Sequence, residues 1–381
     1  MSIDGKSAPG GETRVKVALL LQGGGSLGSY QAGVYEALEA ADVCPDWICG
    51  ISIGAINGAI IAGNAREKAL ERLHDFWSLV SSSVTPFPAF EEWIEQACNQ
   101  VAAQNTLSFG VPGFFRPWII PPFAQPPGTP AALSYYDTSE LKSTLERLVD
   151  FDRINRREVR LSLGAVSITS GNFTYFDNTR MRIGPEHVMA SGALPPGLPP
   201  IAIEGEYYWD GGLVSNTPLQ YVIDQDGPDS LLAFQVDLFS ARGPMPQNLL
   251  DAAEREKDIR YSSRTRLNTD MLKQRELISA AAKRLAAKAP ELSQDPDLAY
   301  LTSLPDVPSM TIVHLIYKSK HDASFSKDYD FSRGSLEAHW IAGRTDVETS
   351  LKHPDWLRRK APQPGNVQIF DLDGRYRGPY G

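Results

Sequence analysis

Gly50-Ile51-Ser52-Ile53-Gly54 has the form Gly-x-Ser-x-Gly, a sharp strand-to-helix turn that lifts a serine hydroxyl clear of a sheet. Glycine suits both outer positions because a side chain there would crowd the neighbouring strand or helix. The apolar run at 47–49 predicts a short buried strand, and the small apolar residues at 55–63 predict a buried helix. Such a pentapeptide also arises by chance, so its meaning depends on the motifs around it.

A glycine-rich loop lies upstream, in Gly23-Gly24-Gly25-Ser26-Leu27-Gly28. It follows a predicted buried strand at 15–21 and precedes residues 29–40, whose apolar side chains have helical spacing. A loop of this kind directs backbone N–H groups and the positive end of a helix dipole towards one point. It is therefore a candidate anion site.

Three interpretations of the loop are open. A pyrophosphate site fits because Gly23, Gly25 and Gly28 match Gly-x-Gly-x-x-Gly, but Asp46 precedes its strand instead of ending it as that site requires. An oxyanion hole is favoured because the next strand runs into the serine turn, which a nucleotide site does not need. A tight turn without a ligand is disfavoured by the three successive glycines.

Asp210 is the candidate base. The glycines that follow it, Gly211 and Gly212, allow close approach of the backbone or a positive φ. An aspartate before two glycines is often only part of a turn. The assignment of Asp210 as a base depends on the candidate serine nucleophile, which needs a base within hydrogen-bond reach. A carboxylate can serve without a histidine if partial desolvation raises its pKa.

In this order, the three motifs make the chain resemble the patatin-like phospholipase family over about residues 14–240, and the stretch 190–195 resembles it too. The resemblance implies a dyad in which Ser52 is the nucleophile and Asp210 the base. It also implies acyl-ester hydrolysis of lipids, of the lipase or phospholipase A type, without a metal or other cofactor. The implied oxyanion hole uses N–H groups of the Gly24–Gly25 loop, within the set Gly23, Gly24, Gly25 and Ser26. The supporting glycines are Gly28, Gly50, Gly54, Gly211 and Gly212.

Leu27 departs from the family pattern, in which Arg or Lys often precedes the last loop glycine. If that cation contacts a substrate phosphate, its absence leaves open whether the substrate is a phospholipid, a neutral lipid or a polyester.

The α/β-hydrolases are a rival architecture, because they also use Gly-x-Ser-x-Gly and follow the serine with an acid and then a histidine. The histidines after Asp210 are His314, His321, His339 and His353. However, α/β-hydrolases need several strands before the serine turn, and only one strand is predicted before the short strand at 47–49. A dyad enzyme would tolerate replacement of every histidine.

Composition sets broad limits on function. The 381 residues carry a formal net charge of −9, which implies no general nucleic-acid-binding surface. Three cysteines and the absence of an apolar leader favour a cytoplasmic protein with reduced thiols. The longest apolar stretch near the serine turn is too short to span a bilayer, so any membrane contact is expected to be peripheral.

The predicted fold is α/β, a three-layer sandwich around a mainly parallel sheet, with a mostly helical C-terminal extension. We expect a disordered lead at 1–13, a catalytic domain at 14–240, and an extension at 241–381 in which helices and a strand pack on the core. One or two charged helices are predicted at 248–287 and a strand at 309–317. The aromatic, proline-rich segment 109–123 is a poor helix and a poor strand. It can be an irregular loop packed on the core, and it can also serve as a lid or apolar acyl-chain wall over Ser52 or as a membrane-docking loop.

Overall fold

The computed structural model describes residues 15–81, 103–225, 230–262, 265–292, 295–303, 309–318, 327–359 and 367–371. The lead predicted at 1–13 lies outside these residues.

Nine of the described strands form one sheet, and β3 and β4 form a separate two-stranded ribbon. In chain order the strands are β1 (Lys16–Leu21), β2 (Trp47–Ile51), β3 (Arg116–Pro117), β4 (Tyr136–Asp137), β5 (Arg160–Ser167), β6 (Phe173–Asp177), β7 (Ile201–Ile203), β8 (Glu206–Asp210), β9 (Ser230–Asp237), β10 (Ser309–Ile316) and β11 (Val367–Phe370). The large sheet has the order β11-β10-β9-β1-β2-β5-β8-β7, and β6 also pairs with β5. Pairing is parallel from β11 through β5 and antiparallel among β5, β6, β8 and β7.

Helices follow most of the parallel strands, as right-handed crossover connections require. The helices are α1 (Ser29–Ala40), α2 (Ile53–Ala62), α3 (Arg66–Val80), α4 (Ser139–Leu148), α5 (Phe151–Asn155), α6 (Pro185–Ser191), α7 (Leu219–Ile223), α8 (Leu249–Tyr261), α9 (Thr265–Lys288), α10 (Pro296–Ser303), α11 (Arg333–Lys352) and α12 (Pro354–Leu357). Residues 103–109 are also helical. No helix in the described part of the chain has the length and apolar character needed to cross a membrane.

The sheet is buried on both faces. Successive residues of a strand point to opposite faces, and along β1 the side chains of Leu19 and Leu21 join one apolar cluster while those of Ala18 and Leu20 join another. The first cluster includes residues of α1, α2 and α3, and the second includes residues of α7. These two cores confirm the predicted three-layer α/β sandwich around a mainly parallel sheet.

The C-terminal extension is mostly helical, as predicted, and adds β10 and β11 to the sheet beyond β9. Within the described part of the extension, α11 crosses closely over α1. A Cβ atom added at Gly33 would lie 1.9 Å from the carbonyl oxygen of Trp340, and one added at Gly343 would lie 2.1 Å from that of Tyr30. Glycine at both positions therefore lets the two helix backbones touch.

Candidate active site

Ser52 lies at the junction of β2 and α2. Its φ of 57° and ψ of −123° are rare for a residue with a side chain. The glycines on either side have no room for a Cβ atom: one at Gly50 would lie 2.3 Å from the carbonyl oxygen of Gly54, and one at Gly54 would lie 2.3 Å from that of Leu21. The close packing of strand, turn and helix thus holds Ser52 in its strained conformation.

Ser191, at the end of α6, fixes the backbone of Ser52. The N–H of Ser52 donates to the carbonyl oxygen and to the hydroxyl oxygen of Ser191, both at 3.1 Å. The same hydroxyl donates to the carbonyl oxygen of Gly164 at 2.6 Å, and Ser191 is fully buried. The serine turn is therefore tied to both α6 and β5.

One edge of β5 brings Asp210 beside Ser52. β2 occupies that edge from Arg160 to Gly164, where its last residue, Ile51, faces Gly164. β6 covers the opposite edge, so β8 pairs beyond the end of β2, with Asp210 facing Ala165. The strand that carries the serine and the strand that carries the aspartate thus meet end to end.

Asp210 is a buried carboxylate with few partners. One carboxyl oxygen accepts from the N–H of Gly212 at 2.7 Å. Removal from water raises the pKa of Asp210 from about 3.8 to about 7, and the neighbouring Ser52 side chain and the N–H of Gly212 only partly offset this effect. The carboxylate is therefore poised to accept a proton near neutral pH.

The glycine loop lies beside the serine. A Cβ atom added at Gly23 would lie 2.9 Å from the Cβ of Ser52 and 2.5 Å from the amide oxygen of Asn216. The amide nitrogen of Asn216 donates to the carbonyl oxygen of Gly23 at 3.0 Å and to that of Tyr261 at 3.1 Å. The aspartate segment and the end of α8 thus hold the loop against Ser52.

The far side of the loop rests on residues from the C-terminal extension. Gly25 has a φ of +57°, and a Cβ atom there would lie 2.2 Å from the carbonyl oxygen of Asp328. The hydroxyl of Ser26 donates to the carbonyl oxygen of Lys327 at 2.8 Å. The 3-10 turn Lys327–Tyr329 therefore packs directly on the loop and excludes any side chain at Gly25.

Ion pairs join this turn to α8. The ammonium of Lys327 lies 2.7 Å from the carboxylate of Asp258 and 3.2 Å from that of Glu254, and Lys257 pairs with Asp328. Burial lowers the pKa of Lys327, but the two carboxylates outweigh that effect and raise it. Leu27, which stands where many family members have a cation, is fully buried. Among the described residues that line the cavity, the cationic side chain is that of Lys257, from the extension.

Ser52, Asp210 and the loop face a cavity of about 180 Å³. Much of its wall is apolar: the lining residues include Ile53, Ile56, Leu107, Phe114, Phe115, Leu194, Leu198, Phe239 and Phe331. Phe114 and Phe115 belong to the aromatic segment 109–123, so this part of the segment forms a wall of the cavity. The polar residues of the lining include Ser52, Asp210, Asn216, Lys257 and Tyr261.

The structure brings together most of the predicted site residues. The cavity is lined by Gly23, Gly24, Gly25, Ser52, Asp210 and Gly212. The other predicted residues lie behind the cavity wall. Ser26 bonds to Lys327, Gly28 packs on Ile53, and Gly211 packs on Gly164. Gly50 and Gly54 belong to the serine turn.

Other residues of the site were not singled out from the sequence. Ser191 lies within the stretch 190–195, where the family resemblance assigns no role to it. Asn216 follows Asp210 by six residues and could have been found as a polar side chain in the same segment. Lys257, Tyr261 and Asp328 carry no local signal, because their place depends on how the extension packs.

Histidine does not line the cavity in the described part of the chain, which includes five of the six histidines. His314 is 2.5 Å from Asp237, His187 accepts from the N–H of Gly184, and His321 lies outside the described residues. The arrangement gives no support to a Ser–Asp–His triad.

Comparison with known proteins agrees with this geometry. The family model described as patatin-like phospholipase matches residues 19–223, and a second model, described as patatin phospholipase, matches residues 259–363. A stretch of 49 residues is 53% identical to lysophospholipase nte1 of Aspergillus terreus, which is 13% of this chain and 3% of that protein.

Two solved structures are similar at low identity. VipD from Legionella pneumophila has 15% identity and a TM-score of 0.36, with 86% of this chain and 68% of that chain covered. ExoU from Pseudomonas aeruginosa, solved in complex with SpcU, has 13% identity and a TM-score of 0.29, with 90% and 72% covered. Because both TM-scores lie below 0.5, neither likeness bears on the fold or the function.

Proposed function

This chain belongs to the patatin-like phospholipase family, and we therefore propose that it is a serine acyl hydrolase of lipid esters. The observation that carries the proposal is that Ser52 and the buried carboxyl of Asp210 line the same cavity, where burial raises the pKa of Asp210 to about 7. A base with this pKa is largely ionised at slightly alkaline pH and still holds a proton well enough to return it.

In the proposed first step, the Ser52 hydroxyl oxygen attacks the ester carbonyl carbon while Asp210 takes the hydroxyl proton. The carbonyl oxygen becomes an oxyanion, and the N–H groups of Gly24 and Gly25 hold it. The support is that both glycines line the cavity beside Ser52 and precede the N-terminus of α1. One such donor contributes about 10²–10³-fold to a rate.

The intermediate then collapses to an acyl-enzyme. The bond between the carbonyl carbon and the alkoxy oxygen breaks, and protonated Asp210 gives its proton to the departing alkoxide. A water molecule attacks the acyl-Ser52 ester, Asp210 takes a proton from it, and the proton returns to Ser52 as the fatty acid leaves. No histidine takes part in this sequence.

The apolar side of the cavity would hold the acyl chain. Ile53, Ile56, Phe114 and Phe115 line it and provide the non-directional contact that a hydrocarbon chain requires. A chain placed there enters the same cavity that Ser52 faces, so its ester group can reach the serine hydroxyl.

Labelling with a fluorophosphonate tests the nucleophile. We expect the full-length protein to be labelled and the Ser52→Ala variant not to be, whereas Ser170→Ala, at an exposed serine, should be labelled like the parent. Persistent labelling of Ser52→Ala would refute the assignment. Esters of graded acyl length, with Ser52→Ala as the blank, would then establish the hydrolysis itself, and His314→Gln should retain it.

A further inference from the structure

The segment 117–136 has a composition unlike the rest of the surface. Its twenty residues contain no acidic, basic or histidine side chain, and six of them are proline. Within it, Ile119 is 100% exposed, Phe123 is 91% exposed and Ile120 is 53% exposed. Single exposed apolar residues are common on soluble proteins, but three within five residues, without a neighbouring charge on the segment, form a patch.

Part of the backbone of this segment is closed by local hydrogen bonds. Proline has no N–H to leave unsatisfied. The N–H groups of Ala124, Gln125, Thr129, Ala132 and Leu133 each donate to a carbonyl three residues earlier, at 2.9–3.3 Å. The local pairing of these donors lowers the cost of moving this part of the backbone out of water.

Local contacts hold the segment in shape. The N–H of Trp118 donates to the carbonyl oxygen of Tyr135, and its indole N–H donates to the hydroxyl of Ser134 at 3.0 Å. The Ser134 hydroxyl also bonds to the carbonyl oxygens of Pro130 and Tyr136. The apolar side chains are therefore presented on a closed, bonded loop whose two ends are joined.

The base of the loop is part of the cavity wall. The N–H of Tyr135 donates to the carbonyl oxygens of Pro196 and Gly197 at 3.0 and 3.1 Å, and the N–H of Tyr136 donates to that of Gly197. Tyr136, Pro196 and Gly197 all line the cavity that Ser52 faces. The exposed patch is thus continuous in structure with the substrate cavity.

We propose that residues 117–136 are an interfacial docking surface that inserts Ile119, Ile120 and Phe123 into a lipid surface and places the cavity next to it. The occupant is a lipid surface because the patch is apolar and uncharged, several backbone donors of the loop are paired within it, and the base of the loop lines the cavity. The physiological purpose of docking rests on the proposed function, in which the cavity takes lipid esters. Docking itself requires neither Ser52 nor turnover.

The test is binding of the full-length Ser52→Ala protein to vesicles of zwitterionic phosphatidylcholine, measured by co-sedimentation. Adding Ile119→Ser and Phe123→Ser should weaken partitioning by about tenfold or more, because two apolar side chains no longer enter the lipid. The matched control is Ile341→Ser with Leu357→Ser, at side chains that are 54% and 67% exposed on α11 and α12. This control should bind like the parent, and high salt should not weaken binding.

The proposal is overturned if the parent does not bind these vesicles, if the loop variant binds as well as the parent, or if salt releases the protein. It is also overturned if the parent is a dimer and the loop variant a monomer, since the patch would then join two copies of this chain. Hydrolysis of a soluble monomeric ester, assayed in proteins that retain Ser52, distinguishes a failure of membrane docking from a failure of the proposed hydrolase activity. Ile119 and Phe123 do not line the cavity, so the loop variant should hydrolyse that ester at the parent rate, whereas failure of the proposed function would abolish hydrolysis in both proteins.

Discussion

Asp210 and Ile51 pair with consecutive residues of β5: Ile51 faces Gly164, and Asp210 faces Ala165. Ser52, the proposed nucleophile, directly follows Ile51, so the sheet register brings it towards Asp210, the proposed base, across neighbouring β5 positions about 3.3 Å apart. We infer that the sheet register, and not a third side chain, orients the base of the proposed dyad.

Asp210→Asn should lower kcat by about 10²–10⁴-fold, the usual contribution of a general base.

The same variant should be more stable than the parent at alkaline pH. The folded pKa of about 7 lies above the unfolded value of about 3.9, so the stabilising effect of the bound proton is complete below about pH 4 and is lost as the pH rises to about 7. The loss amounts to about 4 kcal/mol at most. Denaturant unfolding at pH 5 and pH 8 measures it, and a stability difference that does not grow with pH would contradict the assignment.

The pH dependence of kcat/KM should follow the ionisation of Asp210. We expect a tenfold rise per pH unit below about 7 and a plateau above it, because the carboxylate must be ionised to accept the serine proton. A stable, soluble ester measured across this range provides the profile. An ascending limb centred near pH 4 would show that the base is a solvated carboxylate and not buried Asp210.

Ser191→Ala tests whether Ser191 positions Ser52 without itself taking part in the reaction. The substitution removes the hydroxyl between the N–H of Ser52 and the carbonyl oxygen of Gly164, so the serine turn loses one support. We expect kcat to fall by about tenfold or more with little change in KM, and stability to fall by about 1–2 kcal/mol.

Ser162→Ala is the matched control for this variant, because Ser162 is also fully buried on β5 and makes two side-chain hydrogen bonds, to Trp47 and Asp177. It should lose similar stability and keep its kcat. Equal losses of kcat in the two variants would assign Ser191 a purely structural role.

Lys327→Met should impair the glycine loop from the outside. The substitution leaves Glu254 and Asp258 without their shared cation and loosens the turn that packs on Gly25 and accepts from Ser26. We expect kcat and the rate of fluorophosphonate labelling to fall by about tenfold or more, because the oxyanion donors lose their position.

Lys327→Arg should restore part of that rate by keeping the charge. Lys352→Met, at an exposed lysine on α11, serves as the control. If Lys327→Met and Lys352→Met are labelled equally fast, the extension does not support the loop.

Much of the core could be predicted from the sequence because local patterns determine it. Apolar runs predict the buried strands β1 and β2, and the glycines around Ser52 predict the sharp turn. The helix expected at 29–40 is α1. The pairing of β8 with β5 could not be predicted, because β8 is short, partly exposed and antiparallel to its neighbour. Lys257, Asp328 and Ser191 join the site only through contacts between distant parts of the chain, which periodicity and spacing do not encode.

The parallel pairing of β9 with β10 has a further consequence for how the protein can be handled. Seven of the eight residues of β9 are buried, and β10 covers its edge away from β1. A chain cut near residue 240 would keep β9 and lose that neighbour, which would leave an apolar strand with unpaired backbone groups at the sheet margin. Such an edge is a template for intermolecular pairing. We therefore expect residues 14–240 expressed alone to aggregate more readily than the chain that retains β10.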